Sequence, residues 1–351
     1  MIADDYQRPP DKMKCAMYYN NRDIRLEEIP VPEIGSDELL VQMHACGICG
    51  SDVLEWYRIK KAPLVLGHEM TGEIVEAGRD AGSYKVGNRV FVSHHIPCNT
   101  CRYCLRGHYT VCDTLRNTNY DPGGFAEFIR VPRINADRGV FLLPDEISYE
   151  EGTFIEPLAC VLRGQKIAHV QPGQTVFIIG GGIAGLLHLK LARALGASSV
   201  VVTDINKKRL VFAERFGAKA AILADDNVPE HLRAVNNGRP ADLVIVATGA
   251  IEATQMAWKT VDRGGTILLF APTQPGIDVA LPLYDIWHDG ITITTSYAGS
   301  PLDISEAIEL IRSKSIIVRD MVTHRFPLAR AREGFSLVEK AQDSLKVIIV
   351  P

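Results

Sequence analysis

From about residue 13 to 150 the apolar positions come in short alternating or β-branched runs, "LLVQMHACGIC", "TGEIVEAG", "GNRVFVS" and "GGFAEFIRVP", broken by Gly and Pro. A period of two predicts strands and the punctuation predicts turns, so this part reads as mostly antiparallel β. From about 165 the pattern changes. Solid apolar runs alternate with helical segments: "QTVFIIG", "IAGLLHLKLARALGA", "SVVVTD", "KKRLVFAERFGA", then "ADLVIVATG" and "GGTILLFA". Strands without polar alternation are covered on both faces, and helices that cross between them predict βαβ units on a doubly wound parallel sheet. The tail segments "PLDISEAIELIRSKSI" and "SLKVIIVP" read as a helix and a strand outside that series. The expected organisation is therefore a β domain over 1–159 and 298–351 with an α/β domain over 160–297 inserted into it.

Length supports two domains, since 351 residues are more than one hydrophobic core comfortably serves. With 46% hydrophobic and 23% charged residues the composition is that of an ordinary soluble protein. No apolar run reaches the ~18 residues of a bilayer span, and runs such as "ADLVIVATGA" are strand-sized, so no membrane role is expected. The net charge of −4 excludes a basic nucleic-acid surface. The opening stretch "MIADDYQRPPDKMKC" holds no apolar segment of the leader type, and the expected location is the cytoplasm. There is no internal repeat or low-complexity tract.

Cysteine usage adds the first chemistry. Four of the eight cysteines, Cys98, Cys101, Cys104 and Cys112, fall in "PCNTCRYCLRGHYTVC" with spacing Cys-x2-Cys-x2-Cys-x7-Cys. Four thiolates at this spacing can close a tetrahedron around Zn²⁺ and leave no open position, which makes the lobe at about 94–113 a structural staple. Disulfides need an oxidising compartment, and a nucleic-acid zinc ribbon needs more cations than Arg102 and Arg106 supply.

A second signal sits at the junction of a predicted strand and helix, where "VFIIGGGIAGLLHLKLARALGA" carries Gly180-x-Gly182-x-x-Gly185, with Ile183 opening the helix. Glycines there allow a tight turn and close backbone approach, leaving helix N–H groups aimed at a pyrophosphate. Asp204 ends the next predicted strand, where a carboxylate can bind the adenosine ribose hydroxyls and repel a 2′-phosphate. NAD is favoured over NADP on this ground, although Lys207, Lys208 and Arg209 follow it. Arg209 is expected near the adenosine end.

Two further stretches, "GICGSD" with Cys49, Ser51 and Asp52, and "LGHEMTGEIVEAG" with Gly67, His68 and Glu69, precede the four-cysteine lobe. A thiolate, an imidazole and an adjacent carboxylate are ligands that zinc accepts while keeping a position open. Together with "GGFAEFIRVP", "FIEPLAC", the glycine fingerprint and "DINKKRL", in this order and over nearly the whole chain, they make the sequence resemble the zinc-dependent medium-chain dehydrogenases, and within them the polyol and threonine dehydrogenase branch. The resemblance implies a GroES-like catalytic domain and a Rossmann domain. It implies one structural and one catalytic zinc per chain, the latter held by Cys49, His68 and Glu69, with Glu156 binding directly or through water. It also selects Cys49 over Cys46, which joins Cys15 and Cys160 as an ordinary thiol. By the same resemblance Ser51 takes the proton from the reacting hydroxyl while a hydride passes to NAD.

Two departures from the family bear on mechanism and specificity. Where alcohol dehydrogenases place a relay histidine five residues after the zinc cysteine, this chain has Leu54, so water and a carboxylate such as Glu69 or Glu156 are expected to carry the proton out. The segment between Cys49 and His68 is shorter than in sorbitol dehydrogenases, and Ser296 replaces an arginine before Tyr297. Glu55, Trp56, Tyr57 and Tyr297 are candidate lining for a cleft suited to a neutral polyhydroxylated alcohol or its ketone. The competing readings are a zinc-independent NADPH quinone reductase, which the zinc ligands argue against, and a silent NAD-binding scaffold. A homodimer or homotetramer is implied, with "GGTILLFA" and "GITITTSYA" as strands that could extend the sheet across a boundary.

Overall fold

A computed structural model describes residues 9–225 and 227–351, so the first eight residues of the opening stretch lie outside the described residues. The chain forms two compact units, one of residues 1–156, 318–340 and 346–351 and the other of 157–317 and 341–345.

In the first unit the alternating runs become strands as the pattern predicts. The central strand Leu39–Gly47 pairs antiparallel with Glu69–Ala77, Phe128–Val131 and Lys346–Val350. Arg89–Val92 and Val140–Leu142 continue the sheet on one side, and Val322–Pro327 closes the other, parallel to the last strand. A smaller sheet, Asp23–Pro30, Lys12–Asn20 and Leu64–Val65, completes the framework. Met13, Tyr18, Leu40, Met43, Ile74, Phe125 and Ile349, all buried, belong to one continuous core.

The second unit holds six parallel strands in the order Ala220–Leu223, Ser199–Asp204, Thr175–Ile179, Ala241–Val246, Val261–Leu269 and Thr292–Thr295. Thr175–Ile179 and Ser199–Asp204 are buried at every position, which is why they read as unbroken apolar runs. Each such Val, Ile or Phe taken out of water contributes roughly 1.5–3 kcal/mol.

Two expectations about this unit are corrected. Val261–Leu269, which takes in the first six residues of "GGTILLFA", is paired on both sides, so of the two strands expected at a boundary only Thr292–Thr295 lies at the sheet edge. The helix Pro301–Arg312, assigned above to the first domain, falls within the second unit. Ser300 caps that helix through a reciprocal pair with Asp303, and Asp303 Oδ1 accepts a hydrogen bond from Lys166 Nζ at 3.0 Å, which ties the helix to the one at Ile155–Ile167. Among the described residues no helix is long and apolar enough to cross a membrane.

Candidate metal centre and dinucleotide cradle

Strand pairing assembles the first site. Gly47 stands opposite Glu69 in the antiparallel ladder, so Cys49, just past the end of one strand, and His68, just before the start of the other, emerge at the same end of the sheet. The backbone entering His68 depends on Gly67, whose φ is +95° and whose added Cβ would lie 2.8 Å from Phe125 N and 2.9 Å from Cys46 Sγ. Ligand atoms of Cys49, His68 and Glu69 all lie within 4.8 Å of one another, a donor set of thiolate, imidazole and carboxylate that suits zinc. Glu156, half-buried on the first turn of Ile155–Ile167, stands outside this set of three.

Around the three lie groups that the motifs did not assign. Asp52 is fully buried; its Oδ2 accepts the Cys49 N–H at 3.0 Å and its Oδ1 sits 3.4 Å from His68 Nδ1. That fixes the imidazole from behind, the usual task of a carboxylate next to a metal-binding histidine. Burial opposes ionisation of both groups, but His68, Arg58 and the Cys49 N–H hold Asp52 below the usual carboxylate range. Likewise Asp52 and Cys49 overcome the cost of burial and raise His68 well above its ordinary value. Glu69 Oε2 pairs with the ammonium of Lys346, and both side chains are at most 1% exposed. A carboxylate has a second oxygen, so pairing with lysine leaves Glu69 able to serve a metal. Gly47 makes room for the pair, since a Cβ there would meet Glu69 Oε2 at 2.2 Å and Lys346 Cε at 2.5 Å. The ring of His94 lies 5.0 Å from that of His68.

Sequence clues to these neighbours are faint. Lys346 is the lone cation opening "KVIIV", and Asp52 is the acid of "GSD". Nothing local marks His94.

Ser51 Oγ lies 3.4 Å from Cys49 Sγ, as does the Ser51 backbone nitrogen. Cys46 is packed away with its thiol pushed well up by burial, and burial likewise takes Cys15 to about 11. Glu55 Oε1 accepts the Asn21 N–H at 3.3 Å. Trp56 and Tyr57 stack obliquely at 5.7 Å, with Tyr57 exposed, and Tyr297 is also exposed in the other unit.

Cys98, Cys101, Cys104 and Cys112 also bring their sulfurs within 4.8 Å of one another. The Cys98–Cys112 and Cys98–Cys104 separations, 3.6 and 4.0 Å, are too long for disulfides near 2.05 Å, and all eight cysteines are free. The N–H and hydroxyl of Thr100, together with the Cys101 N–H, lower Cys98 to about 5, so a thiolate stands ready for a cation.

In the second unit the glycine motif forms a cradle. Gly180 has φ +106°, and a Cβ on Gly185 would sit 1.8 Å from the Gly180 carbonyl oxygen, so neither position tolerates a side chain. Gly182 precedes the helix Ile183–Ala194 with no side-chain cap, leaving that N-terminus open to an anion. Asp204 Oδ2 accepts the Gly181 N–H at 2.6 Å and Oδ1 accepts the Asn206 N–H at 2.7 Å, which sets the carboxylate beside the cradle. Arg209 Nη1 lies 3.5 Å from Asp204 Oδ2. Lys208 is paired with Asp343.

Residues 35–145 match the alcohol dehydrogenase GroES-like domain and 184–313 the zinc-binding dehydrogenase family. The chain is 32% identical to sorbitol dehydrogenase of Bacillus subtilis, over 97% of this chain and 98% of that one, and 34% identical to sorbitol dehydrogenase of Ovis aries over 93% of each. An alcohol dehydrogenase from Thermus sp. ATN1 superposes with a TM-score of 0.86 at 29% identity, covering 96% of this chain and 99% of that one. On its sequence, its fold and these full-length matches, the chain belongs to the zinc-containing medium-chain dehydrogenases, the NAD(P)-dependent enzymes that act on CH–OH groups.

Proposed function

We propose that the chain interconverts a secondary alcohol of a neutral polyhydroxylated compound (a sugar alcohol, cyclitol or aminopolyol) and its ketone with NAD(H). Cys49, His68 and Glu69 hold the catalytic zinc in this reading, with Glu156 joining directly or through water. When bound, zinc acts as a Lewis acid that lowers the pKa of a coordinated hydroxyl by several units.

The chain's own residues do the rest. Ser51, two residues beyond Cys49, takes the hydroxyl proton and hands its own hydrogen to water as the carbon gives up its hydride to the nicotinamide. Leu54 cannot pass that proton on, so it leaves through water and Glu156. Gly180, Gly182, Ile183 and Gly185 seat the pyrophosphate, and Asp204 takes the adenosine ribose. An acid already anchored by two backbone N–H groups disfavours a 2′-phosphate, and Lys208 is occupied by Asp343, so NAD is the preferred cofactor. Cys98, Cys101, Cys104 and Cys112 hold the structural zinc, and four unoxidised thiols suit the cytoplasm. Association is proposed at the edge strand Thr292–Thr295 and the helix Leu283–His288, whose Leu283, Tyr284 and Trp287 are 70%, 68% and 77% exposed.

The observation that carries the reading is the convergence of thiolate, imidazole and carboxylate beside a serine hydroxyl. It is tested by metal analysis together with a screen of sugar alcohols, cyclitols, amino alcohols and simple alcohols against NAD and NADP, following the absorbance of reduced nicotinamide. Two zinc ions per chain and turnover of polyols with NAD are expected. One zinc per chain with no turnover would favour a zinc-stapled scaffold, and a preference for NADP would defeat the role given to Asp204.

A further inference from the structure

Ser51 has a neighbour that the motifs leave unassigned. Arg58, at the end of the short helix Glu55–Arg58, folds back over the loop that carries Ser51. Its Nη2 donates to Ser51 Oγ at 3.0 Å, its Nε donates to the Ser51 carbonyl at 3.0 Å, and Nη2 also reaches Asp52 Oδ1 at 3.3 Å. The guanidinium lies over the Tyr57 ring at 4.7 Å, and the side chain is only 16% exposed. Three contacts and a stacking face leave it little freedom.

The chemistry of those contacts has a direction. Arginine only donates and stays protonated at every working pH, so it can neither accept the substrate proton nor pass one on. A serine oxygen has one hydrogen and two lone pairs. Arg58 occupies one lone pair and leaves the other to meet an incoming hydroxyl; the serine's own hydrogen, which faces Cys49 Sγ at 3.4 Å, passes to water as the substrate proton arrives, so the oxygen stays neutral. An unclamped serine would sample three χ1 wells and would present its hydrogen or its lone pairs indifferently.

We propose that Arg58 is a positioning residue for the dehydrogenase reaction, fixing the Ser51 rotamer and polarity so that Ser51 meets the substrate hydroxyl as an acceptor. This rests on the reading of Ser51 as the proton acceptor. It also gives the departure at Leu54 a counterpart, since the loop that lacks a relay histidine carries a permanent cation against the serine instead.

The test compares Ser51→Ala, Arg58→Ala, Arg58→Gln and the Ser51→Ala/Arg58→Ala double variant, using the best polyol from the screen. Positioning of an acid–base group predicts that Arg58→Ala loses kcat by on the order of 10–100-fold with KM little changed. Zinc per chain should stay at two, free guanidinium should restore kcat saturably where urea does not, and a crystal structure of Arg58→Ala should show Ser51 in more than one rotamer. In the Ser51→Ala background, removing Arg58 should cost nothing further. An unchanged kcat in Arg58→Ala beside an impaired Ser51→Ala overturns the inference alone, as does an equal loss in both backgrounds, which would make Arg58 a plain loop tie. Zinc loss in both Arg58→Ala and Arg58→Gln overturns it too, by assigning Arg58 to the metal pocket. Full activity in Ser51→Ala defeats the proton-acceptor reading itself.

Discussion

Replacing Lys346 by Met puts a defined electrostatic load on the candidate metal centre. Lys346 and Glu69 are 0% and 1% exposed, so the variant keeps the aliphatic stem but strands a carboxylate away from water. Removing one member of a buried pair costs about 3–5 kcal/mol, most of it the penalty of the charge left behind. Space offers no escape, because Gly47 already sits where any added Cβ would touch both side chains. At roughly 2–4 °C per kcal/mol for a domain of this class, the melting transition of the first unit should fall by roughly 6–20 °C. Calorimetry on metal-free protein isolates the effect, since a bound cation would compensate Glu69 in the lysine's place. The Glu69→Gln/Lys346→Met double variant, which buries no charge, should recover at least half the loss, whereas Glu69→Gln alone, which leaves the lysine unpaired, should not. A Lys346→Met protein within about 1 kcal/mol of the parent, or a double variant no better than the single, would sink the account of this pair as a buried charge held by its partner.

Two further outcomes are expected. Cys104→Ser should drop zinc from two ions to one per chain and raise amide exchange across residues 98–112; retention of both ions would show that the four cysteines do not share one site. His188 is fully buried and burial takes its pKa from 6.5 down to about 3, so between those values the unfolded chain holds a proton that the native ring refuses. Stability should therefore fall as pH drops through that window, by up to about 1.4 kcal/mol per pH unit from this group. His188→Gln should flatten the fall in urea denaturation series; parallel curves for parent and variant would contradict it.

Much of the molecule was legible in its order of residues. The switch from alternating runs to solid runs divided antiparallel from parallel sheet, because the number of faces a strand buries is written in its local period. The four cysteines, the glycine turn and the Cys49, His68 and Glu69 stretches were equally readable, since each depends on residues close in the chain and on backbone rules that act locally. Other features were decided by tertiary structure alone. Glu69 and Lys346 are 277 positions apart, and only the pairing of the last strand with Leu39–Gly47 brings them together. Whether Val261–Leu269 was an interior or an edge strand, and which unit would take the helix Pro301–Arg312, depended on which neighbours each buried surface met. No local pattern paired Arg58 with Ser51 or Glu55 with Asn21; both contacts come from how the loop folds back on its neighbours. Local pattern determines what each segment can become. Which long-range partner desolvates and pairs a charge is settled by the packing of distant segments, and short-range spacing carries no record of it.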